Sequence, residues 1–235
     1  MLPYVEQQSL NNFGLTDPNG NTWVPNVPGV APDGTPTNST RKQLIKPYQC
    51  PSDFSMINGA PINASPPNHS PGIWGMGSSY SANQRLFGTV RTGTAVYHGY
   101  GSQYKIGNIP DGTSNTIAFT EAYASCGYTW ENNLWAFPAQ DSGWNQYPVI
   151  ANTWMDGYPD SPKPAGQGAG WWDDLPQFHP TLAKCNKLQS QGIHTSTIMV
   201  SLADGSVRGV HQGISYTTWN YAINPADGLP LGSDW

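Results

Sequence analysis

The clearest alternation of apolar and polar residues lies in the last third of the chain. In the run 195–202, every second residue from Ile198 to Leu202 is apolar. The pair Asp204-Gly205 separates this run from a second one at 206–210. Alternation predicts a strand with one buried face, and an Asp-Gly pair between two such runs predicts a tight β-hairpin. With a two-residue turn, Leu202 lies opposite Val207 and Val200 opposite Gly209. The predicted buried face carries Ile198, Val200 and Leu202.

Other segments carry weaker signals of the same kind. A strand is predicted at 79–83, with a turn at 85–88, and a second strand at 115–121, with Ile117 and Phe119 on one face. A turn is predicted at 110–113 before that second strand. Short helical segments are predicted at 2–13 and 216–220.

Long stretches between these elements are rich in proline, glycine and asparagine. The 235 residues include 26 Gly and 22 Pro, and only 11% are charged, against about 25% in an average soluble domain. Closely spaced prolines exclude helices and central strands from most of 14–42. We therefore expect one domain over 1–235, of the α+β class, with a small antiparallel sheet and long Pro/Gly-rich loops. A loop-rich insertion is predicted at about 130–187.

Charge and hydropathy exclude several classes of protein. The net charge is -5 and the ten basic residues are scattered, so a nucleic-acid partner is not expected. No apolar run approaches about 18 residues, the length that predicts a membrane-spanning helix. The first residues lack the pattern of a signal peptide. This leaves two interpretations: a cytosolic protein, or a segment without its leader.

Candidate chemistry is sparse. Motifs of serine hydrolases, zinc proteases and phosphate-binding loops are absent, and we expect no enzyme activity. Asp173-Asp174 beside Trp171-Trp172 could line a sugar-binding cleft, but a solvated loop is the simpler interpretation. Three Asp-Gly turns offer carboxylates that calcium could use, although turn chemistry alone accounts for them; these are Asp111, Asp204 and Asp227. Three glycosylation sequons fall in predicted loops, at Asn38, Asn63 and Asn68.

The three cysteines, Cys50, Cys126 and Cys185, form no Cys-x-x-Cys pair, which argues against a zinc ribbon or a thioredoxin-like site. Two of them could form a disulfide in an oxidising compartment and leave one over. Three buried free thiols are the alternative.

Several stretches together resemble a bacterial family, the domain of unknown function 1559, also called a solute-binding family. Its members end in a motif of His, nine residues and Asp-Gly, which is matched here by His194 and Asp204-Gly205. The stretches 2–8, 48–53 and 79–83 also match. The most specific match is Asp111, Gly112, Thr113, Ser114 and Asn115, with Glu121 behind it.

The resemblance implies a non-enzymatic, pilin-like head outside the bacterial cell, whose long N-terminal helix is truncated here to 1–13. It implies a structural subunit of a pilus-like or pseudopilus-like assembly, with a homo-oligomer or filament as partner and membrane contact only through the missing helix. The alternative is a secreted glycan- or solute-binding module that uses Trp171 and Trp172. No cofactor is implied, and calcium stays an alternative.

The resemblance also bears on two sets of residues. Family members often carry a cysteine near the apolar helix that Cys50 could join, which would leave Cys126 to pair with Cys185. His194 is expected to hydrogen-bond the returning strand near Ser215. In the alternative, His194, Glu121 and an Asp meet at a ligand or metal.

Overall fold

The structure is a computed structural model that describes residues 2–8, 43–62, 75–88, 104–126, 132–135, 149–150, 175–186 and 189–235. Nine strands are present in these ranges: β1 Met56–Ile57, β2 Ala60–Pro61, β3 Tyr80–Asn83, β4 Ile117–Glu121, β5 Val149–Ile150, β6 Gln177–Phe178, β7 Gln191–Gly192, β8 Thr197–Leu202 and β9 Val207–His211. The α-helices are α1 Gln84–Phe87 and α2 Tyr216–Ile223, and 3-10 helices occur at Leu2–Val5, Lys46–Tyr48, Ile106–Asn108 and Leu182–Lys184.

Five strands form the main sheet, in the order β5-β3-β4-β8-β9. The pairs β3–β4, β4–β8 and β8–β9 are antiparallel, and β5 is parallel to β3. The strands β1–β2 and β6–β7 form two smaller sheets. The expected α+β class with a small, mainly antiparallel sheet is confirmed.

The core lies between β8, β9 and the C-terminal helix α2. Burial along β8 alternates strictly, as the apolar pattern predicted, and Ile198, Val200 and Leu202 face the core together. Trp219 of α2 is 1% exposed and packs in the same cluster. Ser215 caps this helix by accepting a hydrogen bond from the N–H of Thr218, which satisfies one of the free donors of the first turn.

The register of the hairpin differs from the prediction by one residue. Val207 pairs with Ser201, and Gly209 pairs with Met199. The loop has three residues, because the N–H of Leu202 donates to the carbonyl of Ser206 at 2.8 Å. Gly205 has a φ of 86°, whereas Asp204 is not in the left-handed region. A three-residue loop that ends in a left-handed glycine is the next common hairpin after the two-residue form.

Strand β4 also departs from simple alternation. A register shift lies between Ile117 and Phe119 in its pairing with β8, as expected of a β-bulge, which breaks the two-residue period. Ile117 joins the core, while Phe119 stacks against Phe87 with ring centroids 5.1 Å apart. The shared face predicted for these two side chains is therefore wrong.

One other expectation needs correction: the predicted turn at 85–88 is the short helix α1. Within the predicted loop-rich insertion at about 130–187, Val149–Ile150 forms the edge strand β5 of the main sheet. The first helical segment is a 3-10 helix that ends at Val5, with Glu6 at a φ of 60°; residues 9–13 lie outside the described ranges. Within those ranges, the helices are too short or too polar to cross a bilayer.

Candidate functional site

The segment 48–53 is bound to the start of β3. The carbonyl of Tyr48 accepts a hydrogen bond from the N–H of Ser79 at 2.8 Å, and the N–H of Cys50 donates to the Ser79 hydroxyl at 2.9 Å. The N–H of Asp53 closes a turn by donating to the carbonyl of Cys50 at 3.0 Å. These bonds fix the backbone of Cys50 against the sheet.

Asp53 is a buried carboxylate that joins three segments. Its Oδ1 accepts from the N–H and the hydroxyl of Ser55, at 2.9 and 2.6 Å. Its Oδ2 accepts from the Ser79 hydroxyl at 2.8 Å and from the N–H of Ala124 at 3.2 Å. Four donors compensate the loss of hydration of this side chain, and its role is architectural. In the sequence, Asp53 is distinguished only as the last residue of the matched stretch 48–53.

Glu121 is the last residue of β4 and is 2% exposed. Because β4 pairs with β8, its carboxylate lies beside the β8 backbone, and Oε2 accepts from the N–H of Met199 at 2.9 Å and of Ile193 at 3.3 Å. Burial raises the pKa of Glu121 above its ordinary value. The two backbone donors and the charge of His194 oppose that rise. Both donors bind Oε2, which leaves Oε1 directed at His194.

His194 lies 3.5 Å from the carboxylate, between Nε2 and Oε1, and its side chain is 49% exposed. The hydrogen bond expected between His194 and the returning strand near Ser215 is absent among the described residues. The Ser215 hydroxyl caps α2, and the Ser215 N–H donates to Oδ2 of Asp234 at 2.7 Å. The alternative prediction placed His194 and Glu121 together with an Asp. The structure brings the first two together, and Cys50 takes the third place.

Ligand atoms of Cys50, Glu121 and His194 all lie within 4.8 Å of one another. Negative charge surrounds the cluster. Burial is the main cause that raises the pKa of the nearby Tyr80 phenol, and the charges of Cys50, Glu121 and Asp53 raise it further. Burial likewise raises the pKa of Tyr123. The sequence could not predict this cluster, because its members are far apart along the chain. Cys50 lies in a loop, Glu121 at the end of β4 and His194 three residues before β8.

Besides Asp53, the stretch from Asp111 to Asn115 forms a second hub, that is, a point where hydrogen bonds join several segments of the chain. The Asp111 carboxylate accepts from the N–H groups of Asp227 and Gly228, each at 2.8 Å. The carbonyl of Thr113 accepts from the N–H of Asp204 at 3.1 Å, and the Asn115 amide donates to the carbonyl of Asp111 at 2.9 Å. Gly112 has a φ of 89°, a conformation that a side chain would strain. The turn therefore holds both the hairpin tip and the C-terminal segment; Ser114 within it is exposed.

The three calcium candidates are engaged in similar bonds. Oδ1 of Asp204 accepts from the N–H and hydroxyl of Ser206, at 2.8 and 2.6 Å, and these bonds lower the pKa of Asp204. Oδ1 of Asp227 accepts from the N–H of Leu229 at 2.9 Å. Burial raises the pKa of Asp227, and the nearby Asp111 carboxylate adds to the rise. Turn and loop stabilisation accounts for all three carboxylates.

Asn83 is a further structural residue that the sequence analysis did not single out. Its amide donates to the carbonyls of Ile117 and Ile223, at 2.8 and 2.7 Å, and its Oδ1 accepts from the N–H of Arg85. It thus joins β3, β4 and the end of α2 while it caps α1. An asparagine between a strand and a helix is a recognisable capping signal.

The pairing of Cys126 with Cys185 that the resemblance implied is present. A disulfide joins Cys126 and Cys185, whose Cα atoms are 5.2 Å apart across 59 residues of sequence. Cys50 is a free, partly buried thiol.

A family model described as "Protein of unknown function (DUF1559)" matches residues 1–216. The chain belongs to the DUF1559 family. Among curated proteins and among solved structures, none matches the chain. The matched range of this DUF1559 chain includes Asp53, the stretch 111–115 and the Cys50–Glu121–His194 cluster, whereas Asp227 and Gly228, which Asp111 binds, lie beyond it. Trp171, Trp172 and the three sequon residues Asn38, Asn63 and Asn68 lie outside the described ranges, and so do Asp173-Asp174.

Proposed function

We propose that this DUF1559 chain is the extracellular head of a pilin-like surface subunit, with a structural and non-enzymatic role. The proposal rests on one observation: side chains of the motif form hydrogen bonds that hold turns and chain segments together. The carboxylate of Asp111 holds the backbone of the C-terminal segment, and that of Asp204 binds the N–H and hydroxyl of Ser206 in the hairpin loop. The Asn115 side chain donates to the carbonyl of Asp111 within its own turn. Residues used in this way build a rigid framework rather than a reaction site.

The disulfide supports an oxidising location. A bond between Cys126 and Cys185 persists outside the cytosol, in the periplasm or at the cell surface. Cys126 is fully buried, so the bond stabilises the interior of the head.

Exposed apolar side chains support contacts between subunits. Tyr4, Ile57, Ile106 and Val207 are 91%, 62%, 76% and 64% exposed, respectively. Single exposed apolar residues are ordinary in soluble proteins. In a repeating assembly, however, each would be buried against a neighbouring copy.

Photo-crosslinking on living cells tests the proposal. A photoreactive residue at Tyr4, Ile57, Ile106 or Val207 should give at least one ladder of multimers, and labelled material should appear on the cell surface by immunogold electron microscopy. Lys105 is exposed and polar beside Ile106, and a probe there is the matched control. A monomer at every position, confined to the cell interior, would refute the proposal.

A pocket favours a second candidate, a solute-binding module. It has a volume of about 510 Å³ and is lined by residues that include Leu44, Lys46, Gln49 and Met56, and ligand sites commonly have this size. The family's short label also refers to solute binding. Calorimetry against sugars, amino acids and short peptides, with Lys46→Ala as the pocket variant, tests it. Heat release that Lys46→Ala abolishes would support the module, and no binding across the panel would retire it.

A further inference from the structure

We propose that Cys50, Glu121 and His194 bind one transition-metal ion of the zinc class. Their donor atoms, a sulfur, a carboxylate oxygen and an imidazole nitrogen, lie within 4.8 Å of one another. Zinc is bound in proteins by this set of donors, whereas calcium and magnesium require sites built mainly from oxygen. The inference goes beyond the structural role proposed above and does not depend on it.

The spacing of the donors suits a tetrahedral ion. Metal–ligand bonds of about 2.0–2.3 Å place neighbouring ligand atoms about 3.3–3.8 Å apart. Nε2 of His194 and Oε1 of Glu121 are already 3.5 Å apart. The thiol of Cys50 lies within 4.8 Å of both, so a movement of about 1 Å closes the site. Three protein ligands leave a fourth position for water.

The surrounding bonds orient two of the ligands in advance. The N–H groups of Ile193 and Met199 bind Oε2 of Glu121, so Oε1 is the oxygen presented to His194. Ser79 holds the backbone of Cys50. Outer contacts of this kind commonly strengthen metal binding by about 10–100-fold.

Burial and exposure are also distributed as a metal site requires. The carboxylate of Glu121 is 3% exposed, and its ion-pair partner within the described residues is a histidine whose charge depends on protonation. A bound dication would compensate the buried charge permanently. The His194 ring is about half exposed, so an ion can reach the cluster from solvent without the sheet opening.

A catalytic relay is the rival interpretation of a thiol, an imidazole and a carboxylate. In such a relay the two ring nitrogens face different partners, and the ring separates the carboxylate from the nucleophile. Here a single ligand nitrogen of His194 lies within 4.8 Å of both the thiol and the carboxylate, and the thiol and the carboxylate lie within 4.8 Å of each other as well. Three mutually adjacent donors favour a shared ion.

Metal titration of the purified full chain, with its Cys126–Cys185 disulfide intact, tests the proposal. After treatment with a chelator, Co²⁺ should produce thiolate-to-cobalt charge-transfer absorption and the intense visible bands of a four-coordinate ion. Zn²⁺ should displace it at one equivalent. Bound Zn²⁺ should also slow the alkylation of the Cys50 thiol at least tenfold.

Two variants at exposed histidines form a matched pair. His194→Gln should weaken zinc binding at least tenfold, while His211→Gln, a change at another exposed histidine, should leave it unchanged; circular dichroism confirms that both are folded. Glu121→Gln keeps an oxygen for Met199 and Ile193 but removes the charged ligand, and should also lose the cobalt spectrum. Absence of the thiolate band, equal binding by His194→Gln and the parent, or a Cys50 disulfide in native material would each overturn the proposal.

Discussion

The buried carboxylate of Asp53 offers a sharp test of how this fold is held together. In Asp53→Ala, the N–H groups of Ser55 and Ala124 lose their acceptor, and both residues are fully buried. An unsatisfied buried donor costs about 1–3 kcal/mol, so the pair should lower the free energy of unfolding by about 4 kcal/mol. For a chain of this size that corresponds to a decrease in Tm of about 8–16 °C.

Asp204 supplies a matched control, because it makes the same local pattern at the surface. In both cases Oδ1 accepts from the N–H and hydroxyl of a serine two residues later, Ser55 or Ser206. Only Asp53 is buried, and only Asp53 also binds Ser79 and Ala124. Asp204→Ala should change Tm by about 2 °C or less.

Differential scanning calorimetry under identical buffer conditions compares the two variants. Asp53→Asn keeps one acceptor oxygen but presents an NH₂ group to Ala124, so its Tm should fall between those of the parent and Asp53→Ala. Equal losses for Asp53→Ala and Asp204→Ala would refute the reasoning, because long-range burial would then contribute nothing.

Three further predictions concern charge, covalent structure and the C-terminal segment. In the metal-free chain, burial raises the pKa of Glu121 above 4.5, so the folded state retains a proton that the unfolded state has lost. Stability measured in the presence of a chelator should therefore fall as pH rises from 4.5 through the raised pKa, and urea titrations of Glu121→Gln under the same conditions should show a smaller fall. Reduction of Cys126–Cys185 reopens a loop of 59 residues, which by chain entropy costs about 4 kcal/mol; calorimetry with and without reductant should show the decrease, and an unchanged Tm would contradict it. Asp111→Ala should speed hydrogen exchange of the amides of Asp227 and Gly228 while β8 stays protected, and unchanged exchange at those amides would count against the hub.

The fold could be predicted from sequence where the signal is local. The alternation along β8 identified its buried face, and the Asp-Gly pair located the hairpin turn. The same pair is compatible with two-residue and three-residue loops, so the register could not be fixed. Strand β5 gave no signal, because two residues carry no period.

The candidate site was less accessible to sequence reasoning. Glu121 and His194 entered as motif residues, and Cys50 entered as a disulfide candidate. Their meeting depends on the pairing of β4 with β3 and β8 and on the segment bound to Ser79. Contacts between residues about 70 positions apart leave no mark on local pattern, since each residue is compatible with an ordinary turn or strand end.

The disulfide changes the effective connectivity of the sheet. Cys126 follows the end of β4 by five residues, and Cys185 precedes β8 by twelve. Once the bond has formed, the path between these central strands is shortened more than fourfold, which lowers the entropic cost of closing the loop by about 1 kcal/mol. The long segment between the cysteines becomes a side branch of the folding chain, whose length can change without altering the distance that β4 and β8 must close.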